Sequence, residues 1–210
     1  MGNAMTIATF QPDGTDGVDT FLDNTPQGSN VLLTMFWGGS GRVLIKFDVS
    51  SISADAICTS AQLSLWPESG SAISTWTAYS ILSGNSGWNE NATTTTNDGT
   101  NAWAGSASCS TSGTDYNATS IGTITWALNN NEQTFNLTPS TVQSWFGVSN
   151  SNYGIIMFTD ASASNWSVSS SDAANSARRP KLTINYNPVT LQRRSLSSLG
   201  AGIGKRQAQP

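Results

Sequence analysis

The chain contains no histidine, which removes the commonest general base and the commonest metal ligand of proteins together. A serine–histidine or cysteine–histidine nucleophilic pair is therefore excluded. Charge is scarce as well: Asp, Glu, Lys and Arg make up 10% of the residues, and Glu is confined to Glu68, Glu90 and Glu132. The two-carboxylate arrangement of glycoside hydrolases has few candidates left, because the aspartates fall mostly in turn contexts. No glycine-rich phosphate loop follows a strand-like run, and no paired CxxC is present. The sequence reads as that of a non-enzyme. Cysteine is limited to Cys58 and Cys109, enough for one disulfide, and sequence alone leaves open whether the two meet. Long apolar runs are missing, so nothing reads as a membrane span. The first twelve residues have no basic segment leading into an apolar run, as a secretory signal would.

What the chain has in abundance is Ser, Thr, Asn and Gly, together with eight Trp, seven Phe and four Tyr. Thr and aromatic side chains suit a pleated, half-buried surface, and Gly, Asn and Ser supply the turns of an antiparallel sheet. Strand-like runs recur at 31–37, 42–49, 61–66, 75–82, 121–128, 134–137, 154–159, 165–169 and 181–186, separated by turn clusters. In the last of these Leu182, Ile184 and Tyr186 alternate with polar residues, as a strand with one wet face requires. Ile155-Ile-Met-Phe158 is apolar on both faces and suits a central strand. One segment has helical signals instead: Thr138 as N-cap, Pro139 at the first helical position, Val142, Trp145 and Phe146 on one side, and Gly147 as terminator. The fold class expected is all-β, an antiparallel sandwich with one short helix and an extended C-terminal tail.

Charge is unevenly placed. Arg193, Arg194, Lys205 and Arg206 are four of the nine cations, and no Asp or Glu follows Asp172, so residues 1–187 carry −8 and residues 188–210 carry +4. An acidic body repels phosphate, which argues against nucleic acid and leaves the tail as a device for docking on protein. Leu191, Leu196, Leu199 and Ile203 are too sparse among the small and basic residues of the tail to make a core of their own. The division expected is a domain over 1–187 and a docking arm over 188–210, with Leu191, Arg193, Arg194, Leu196, Leu199, Lys205 and Arg206 as its contact residues.

Two further sets of residues are candidates for binding. Asp13, Asp16, Asp19 and Asp23 recur among glycines and could ligate calcium through oxygen; the same pattern also describes aspartates capping turn amides, without EF-hand spacing. Residues 83–119 are polar, long for a connection inside a domain, and contain Trp88 and Trp103. These indoles either stack on sugar rings as exposed platforms or hold the excursion down as buried pegs. A Cys58–Cys109 bridge would tether the same excursion.

Several segments carry a resemblance. Arg42-Val-Leu-Ile-Lys-Phe-Asp48 is similar to an R-x-L-L-K-F-D strand, Ser60-Ala-Gln-Leu-Ser-Leu-Trp66 to S-A-x-L-x-L-Y, and Trp88-Asn-Glu-Asn-Ala-Thr93 to W-x-E-x-A-T. Asn136-Leu-Thr138 with Val142-Gln-Ser-Trp145, Asn152-Tyr-Gly-Ile-Ile156, and the S-S-E … R-P-x-L-x-V-Y-like run from Ser171 to Tyr186 continue the series, with Asp172 and Asn136 where Glu and Asp are usual. In this order, over residues 18–187, they resemble the DNRLRE-domain family of β-sandwich modules related to carbohydrate-binding modules. The resemblance implies a non-catalytic, jelly-roll-like sandwich and names no ligand residue.

Two functions are expected from these observations. The first is a structural subunit of a large assembly, a bacteriophage virion component such as a capsid decoration or head-fibre protein. It would be made in the host cytoplasm and partnered by other virion subunits, including a capsid protein. The second is a carbohydrate-binding module, extracellular or on a cell or virion surface, that uses Trp88 or Trp103. Neither needs a cofactor beyond the calcium considered above, and neither involves nucleic acid or a membrane.

Overall fold

The computed structural model describes residues 4–36, 41–70, 74–126, 131–159 and 165–188. Twelve strands occur among them: β1 (Thr6–Phe10), β2 (Val18–Phe21), β3 (Leu32–Met35), β4 (Val43–Lys46), β5 (Ile57–Leu65), β6 (Pro67–Ser69), β7 (Ser74–Ser80), β8 (Gly122–Trp126), β9 (Gln133–Leu137), β10 (Ile155–Thr159), β11 (Trp166–Ser169) and β12 (Lys181–Asn187). They form a four-stranded sheet in the order β1-β12-β5-β9, a five-stranded sheet in the order β2-β4-β10-β7-β8, and a three-stranded sheet in the order β3-β11-β6. All ladders between them are antiparallel. The architecture is that of an all-β sandwich.

The main core lies between the sheets, where alternate residues of each strand meet. Ala61, Leu63 and Leu65 of β5, Leu182 and Ile184 of β12 and Phe135 of β9 come from the four-stranded sheet. They pack with Val43 and Ile45 of β4, Ile155 and Met157 of β10, and Trp76 of β7. Leu182 and Ile184 are fully buried and Tyr186 packs beside them, which is the period of two that a half-wet strand shows. At the centre Trp126 sits 4.9 Å from Trp76 and 5.9 Å from Trp166, ring to ring, both tilted. The indole N–H groups of Trp76 and Trp126 have no acceptor, so this aromatic stack is held by shape and area alone.

β10 occupies the middle of the five-stranded sheet, the place its apolar sequence calls for. Ile155 and Met157 face the main core, while Ile156 and Phe158 belong to a second cluster on the opposite face, with Leu22, Leu44, Ile81, Trp88, Trp103 and Cys109. That face is roofed by the 83–119 excursion, and a strand covered on both sides carries apolar residues on both.

The helix α1 (Pro139–Gln143) has Pro at its first position and Thr138 as N-cap, and it ends earlier than Gly147. The Thr138 hydroxyl donates to Ile121 O at 3.2 Å and makes no capping bond. Val142 and Trp145 are buried as expected. Gln143 locks the helix on the start of β5: its side-chain amide donates to Ala56 O, and its Oε1 accepts from Cys58 N at 2.6 Å. Gly147 takes φ +76°, and its amide donates to Ile52 O at 2.8 Å, a left-handed turn that glycine adopts without strain.

Candidate functional site

The 83–119 excursion is built, not loose. It is anchored by two indoles and one carboxylate. Trp88 donates through Nε1 to Tyr153 O at 2.5 Å, and Trp103 donates through Nε1 to Thr93 O at 2.9 Å. Their exposures are 3% and 5%. A sugar platform needs an open ring face, so the expectation that Trp88 or Trp103 stacks on glycan is corrected: both are pegs, buried in the second cluster with their one polar atom satisfied.

Asp115 is the polar centre of the excursion and is fully buried. Its Oδ1 accepts from Asn85 Nδ2 at 2.9 Å and Gly105 N at 2.8 Å, and its Oδ2 from Thr111 N at 2.8 Å and Ser106 N at 3.1 Å. Asn85, buried beside it, accepts from Ala104 N at 2.9 Å. Burial pushes the Asp115 carboxyl up, but the donors from Asn85, Thr111, Ser106 and Gly105 outweigh it and hold the group below the ordinary aspartate value. Thr93 closes the neighbouring turn, its hydroxyl accepting from the amides of Thr95 and Thr96. Sequence reasoning passed over Asp115 because its partners are mostly main-chain amides, which leave no mark in the residue types.

Cys58 and Cys109 are both free thiols, Cys58 in the main core and Cys109 in the second cluster. The bridge considered from the sequence is not formed. Burial raises both thiols above the ordinary cysteine value, which leaves them poor nucleophiles.

The acidic series does not gather around one point. Asp13 is exposed and accepts from Thr15 N at 2.9 Å and Asp16 N at 3.3 Å, the turn-capping arrangement. Those amides hold its carboxyl below the ordinary value. Asp23 accepts from Asn24 N at 2.7 Å. Asp19 alone is buried, with Oδ2 accepting from Ser171 N at 2.8 Å. No three acidic or thiol side chains are grouped as metal ligands among the described residues, so Asp13, Asp16, Asp19 and Asp23 do not form the calcium site drawn from their spacing.

A cleft of about 450 Å³ opens beside this region, lined by Asp16, Lys46, Asp48, Asn89 and Asn150, with Val148 and the buried Trp88 on its wall. Asp48 accepts from Ser50 N at 2.9 Å, and Asn150 Oδ1 accepts from the main-chain amide of Asn152 at 3.0 Å. Asn152 is fixed in turn by donating to Phe47 O at 2.6 Å. Carboxylates, carboxamides and one ammonium are the groups that hydrogen-bond a polyhydroxyl ligand. The docking residues Leu191, Arg193, Arg194, Leu196, Leu199, Lys205 and Arg206 lie outside the described residues.

No helix among the described residues is long and apolar enough to cross a membrane. No family model matches the chain, and no curated protein matches it either.

Proposed function

We propose that the chain is a non-catalytic structural subunit of a large assembly, a bacteriophage virion component of the capsid-decoration or head-fibre kind, in which the sandwich supplies surface and the basic tail grips a neighbouring subunit. The observation that carries this reading is where the cations of the body are used. Arg178 pairs with Glu68 at 3.0 Å and lies over Trp66, Lys181 pairs with Glu132 at 2.6 Å, Arg42 covers Phe158 at 4.3 Å, and Arg179 donates to Ala173 O at 2.9 Å. Four of the body's five cations are thus engaged with groups of the body itself, and the fifth, Lys46, lines the cleft beside Asp48, so the four cations that lie together in one segment are Arg193, Arg194, Lys205 and Arg206. The motif resemblance to DNRLRE modules supports the non-catalytic half of the reading.

The test is to express the full chain and a version ending at Pro188 side by side in cells making the particle, and to follow which sediments with it as salt rises. The full chain should sediment and be released by salt in the molar range, while the shortened chain stays behind with an unchanged melting temperature. Equal sedimentation of both chains, or a full chain that never leaves the soluble fraction, overturns the proposal.

A carbohydrate-binding reading is favoured by one observation, the cleft with Asp48, Lys46 and Asn150. It expects glycan-array binding that is lost in Asp48→Ala and Asn150→Ala and kept in Trp103→Phe. Binding to no glycan removes it.

A further inference from the structure

β1 is an unguarded edge. In the four-stranded sheet it is paired with β12 on one side only, so its other row of main-chain N–H and C=O groups points outward. The other edge strands are guarded. β8 and β9 close on each other, with Thr138 N donating to Ile121 O at 2.7 Å and a Cβ on Gly122 lying 2.7 Å from Asn136 O. β2 carries the buried Asp19 and lies against β3, and β6 holds Pro67 and Glu68. β1 has none of these devices: residues 4–12 include no charge, and Pro12 comes only after the strand has ended.

The side chains agree with the main chain. Ile7 and Thr9 face outward, Ile7 at 62% exposure. Ile7 pairs with Asn185 of β12, and Asn187, on the same face, pairs with Ile57, itself 61% exposed. Met5, the exposed residue before the strand, is brought beside β5 by Thr59, whose Oγ1 lies 3.9 Å from its Sδ. Three of the five large apolar side chains exposed among the described residues therefore share this corner. The inward face is unfinished as well. Ala8 and Phe10 pack against the main core, yet β1 alone of the twelve strands has no fully buried residue. The edge is also held in place: the side-chain amide of Gln11 donates to Ser176 O at 2.9 Å and Arg179 O at 3.0 Å.

We infer that β1 pairs antiparallel with β1 of a second copy of this chain across a two-fold axis near Ile7, joining two four-stranded sheets into one of eight strands. A strand laid along β1 satisfies its outward main-chain groups, and the axis sets Ile7 beside Ile7 of the second copy, with Met5 and Ile57 extending the apolar stripe on either side. Charge selects this occupant. In a two-fold contact each side chain near the axis meets its own copy, so a charge there would face its like; residues 4–12 carry none, in a body of net charge −8. The basic tail fits this edge less well, since residues 4–12 offer it no acid and Asp13 beyond them accepts from its own turn. Each tail departs from β12, one strand in from the joint, so the pairing does not use it.

Sedimentation equilibrium of the full chain and of the chain ending at Pro188 is the test. A single strand-to-strand joint lies at the small end of protein interfaces, so both should dimerise with a dissociation constant on the order of 10 µM. Ile7→Lys, which sets like charges across the axis, should weaken dimerisation by about tenfold or more while melting as the wild type does. Val31→Lys, exposed away from β1, should leave it unchanged. If Ile7→Lys fails to fold, Thr9→Lys, exposed on the same strand, decides. A chain that stays monomeric up to about 500 µM overturns the inference, as does a dimer that the lysine variant leaves intact. Association lost in the chain ending at Pro188 overturns it too and assigns the contact to the tail. The shortened chain can dimerise while failing to join the particle, so failure of the tail reading and failure of this one give different results.

Discussion

The two faces of the five-stranded sheet are covered by different physical means. On one side lies the main core, with Trp76, Trp126 and Trp166 stacked at its centre and two indole N–H groups left without acceptors. On the other lies the 83–119 excursion, whose own apolar residues are few and whose geometry is held by Asp115, Asn85 and a series of main-chain amides. The first cover gains from buried area and tolerates an unmet polar atom. The second exists only while its polar groups remain satisfied, because polar groups buried without partners cost more than the few apolar contacts return.

The contrast is sharpest under substitution. Trp126→Ala should cost about 3–5 kcal/mol in denaturant unfolding, with all probes moving together. Trp126→Phe should recover most of that, since the indole N–H it removes has no acceptor. Asp115→Ala, which strands the amides of Gly105, Ser106 and Thr111, should cost about 3 kcal/mol and act locally. Hydrogen exchange should quicken over 85–116 while β4, β7 and β10 keep their protection. Loss of protection in β10 to the same degree would show that the two covers fold as one unit. Acid gives a smaller effect on the same residue. The folded carboxyl lies below its unfolded value of about 3.9, so its stabilisation is complete above that value and fades as pH falls through the folded pKa. The stability gap between wild type and Asp115→Asn should therefore narrow below about pH 4, and a gap constant with pH would sink the account. The smallest effect belongs to neither cover: Lys181→Gln, which removes a partly exposed ion pair with Glu132, should change stability by less than about 1 kcal/mol, and less still in high salt.

Sequence carried the main core well and the excursion poorly, and the residues show why. Each strand-like run has a strand within it, because alternation and two-sided apolarity are direct consequences of burial. The strands that periodicity missed are those where burial and polarity part company. β1 exposes Ile7 at an edge while Ala8 and Phe10 turn inward, β2 buries Asp19, and β6 begins with Pro67, tolerable only because the strand is an edge. The indoles of 83–119 were visible as two competing roles, and packing chose the peg. The partners of Asp115 and the pairing of Asp19 with Ser171 were invisible, because they depend on which distant segments the topology places side by side. The four-aspartate series erred in the opposite sense, taking local spacing for convergence.

β12 is the strand from which the tail departs, and it is not an edge: β1 holds it from Thr6↔Tyr186 to Phe10↔Leu182, and β5 from Ile57↔Asn187 to Ser64↔Lys181. β1 runs antiparallel to β12 and starts at the pair where β12 ends, so tension between the two chain ends would open that ladder from Thr6↔Tyr186 one pair after another, as a zipper opens. A module pulled by its two ends should therefore yield at low force, and single-molecule stretching between its termini should show β1 peeling from β12 before the core gives way.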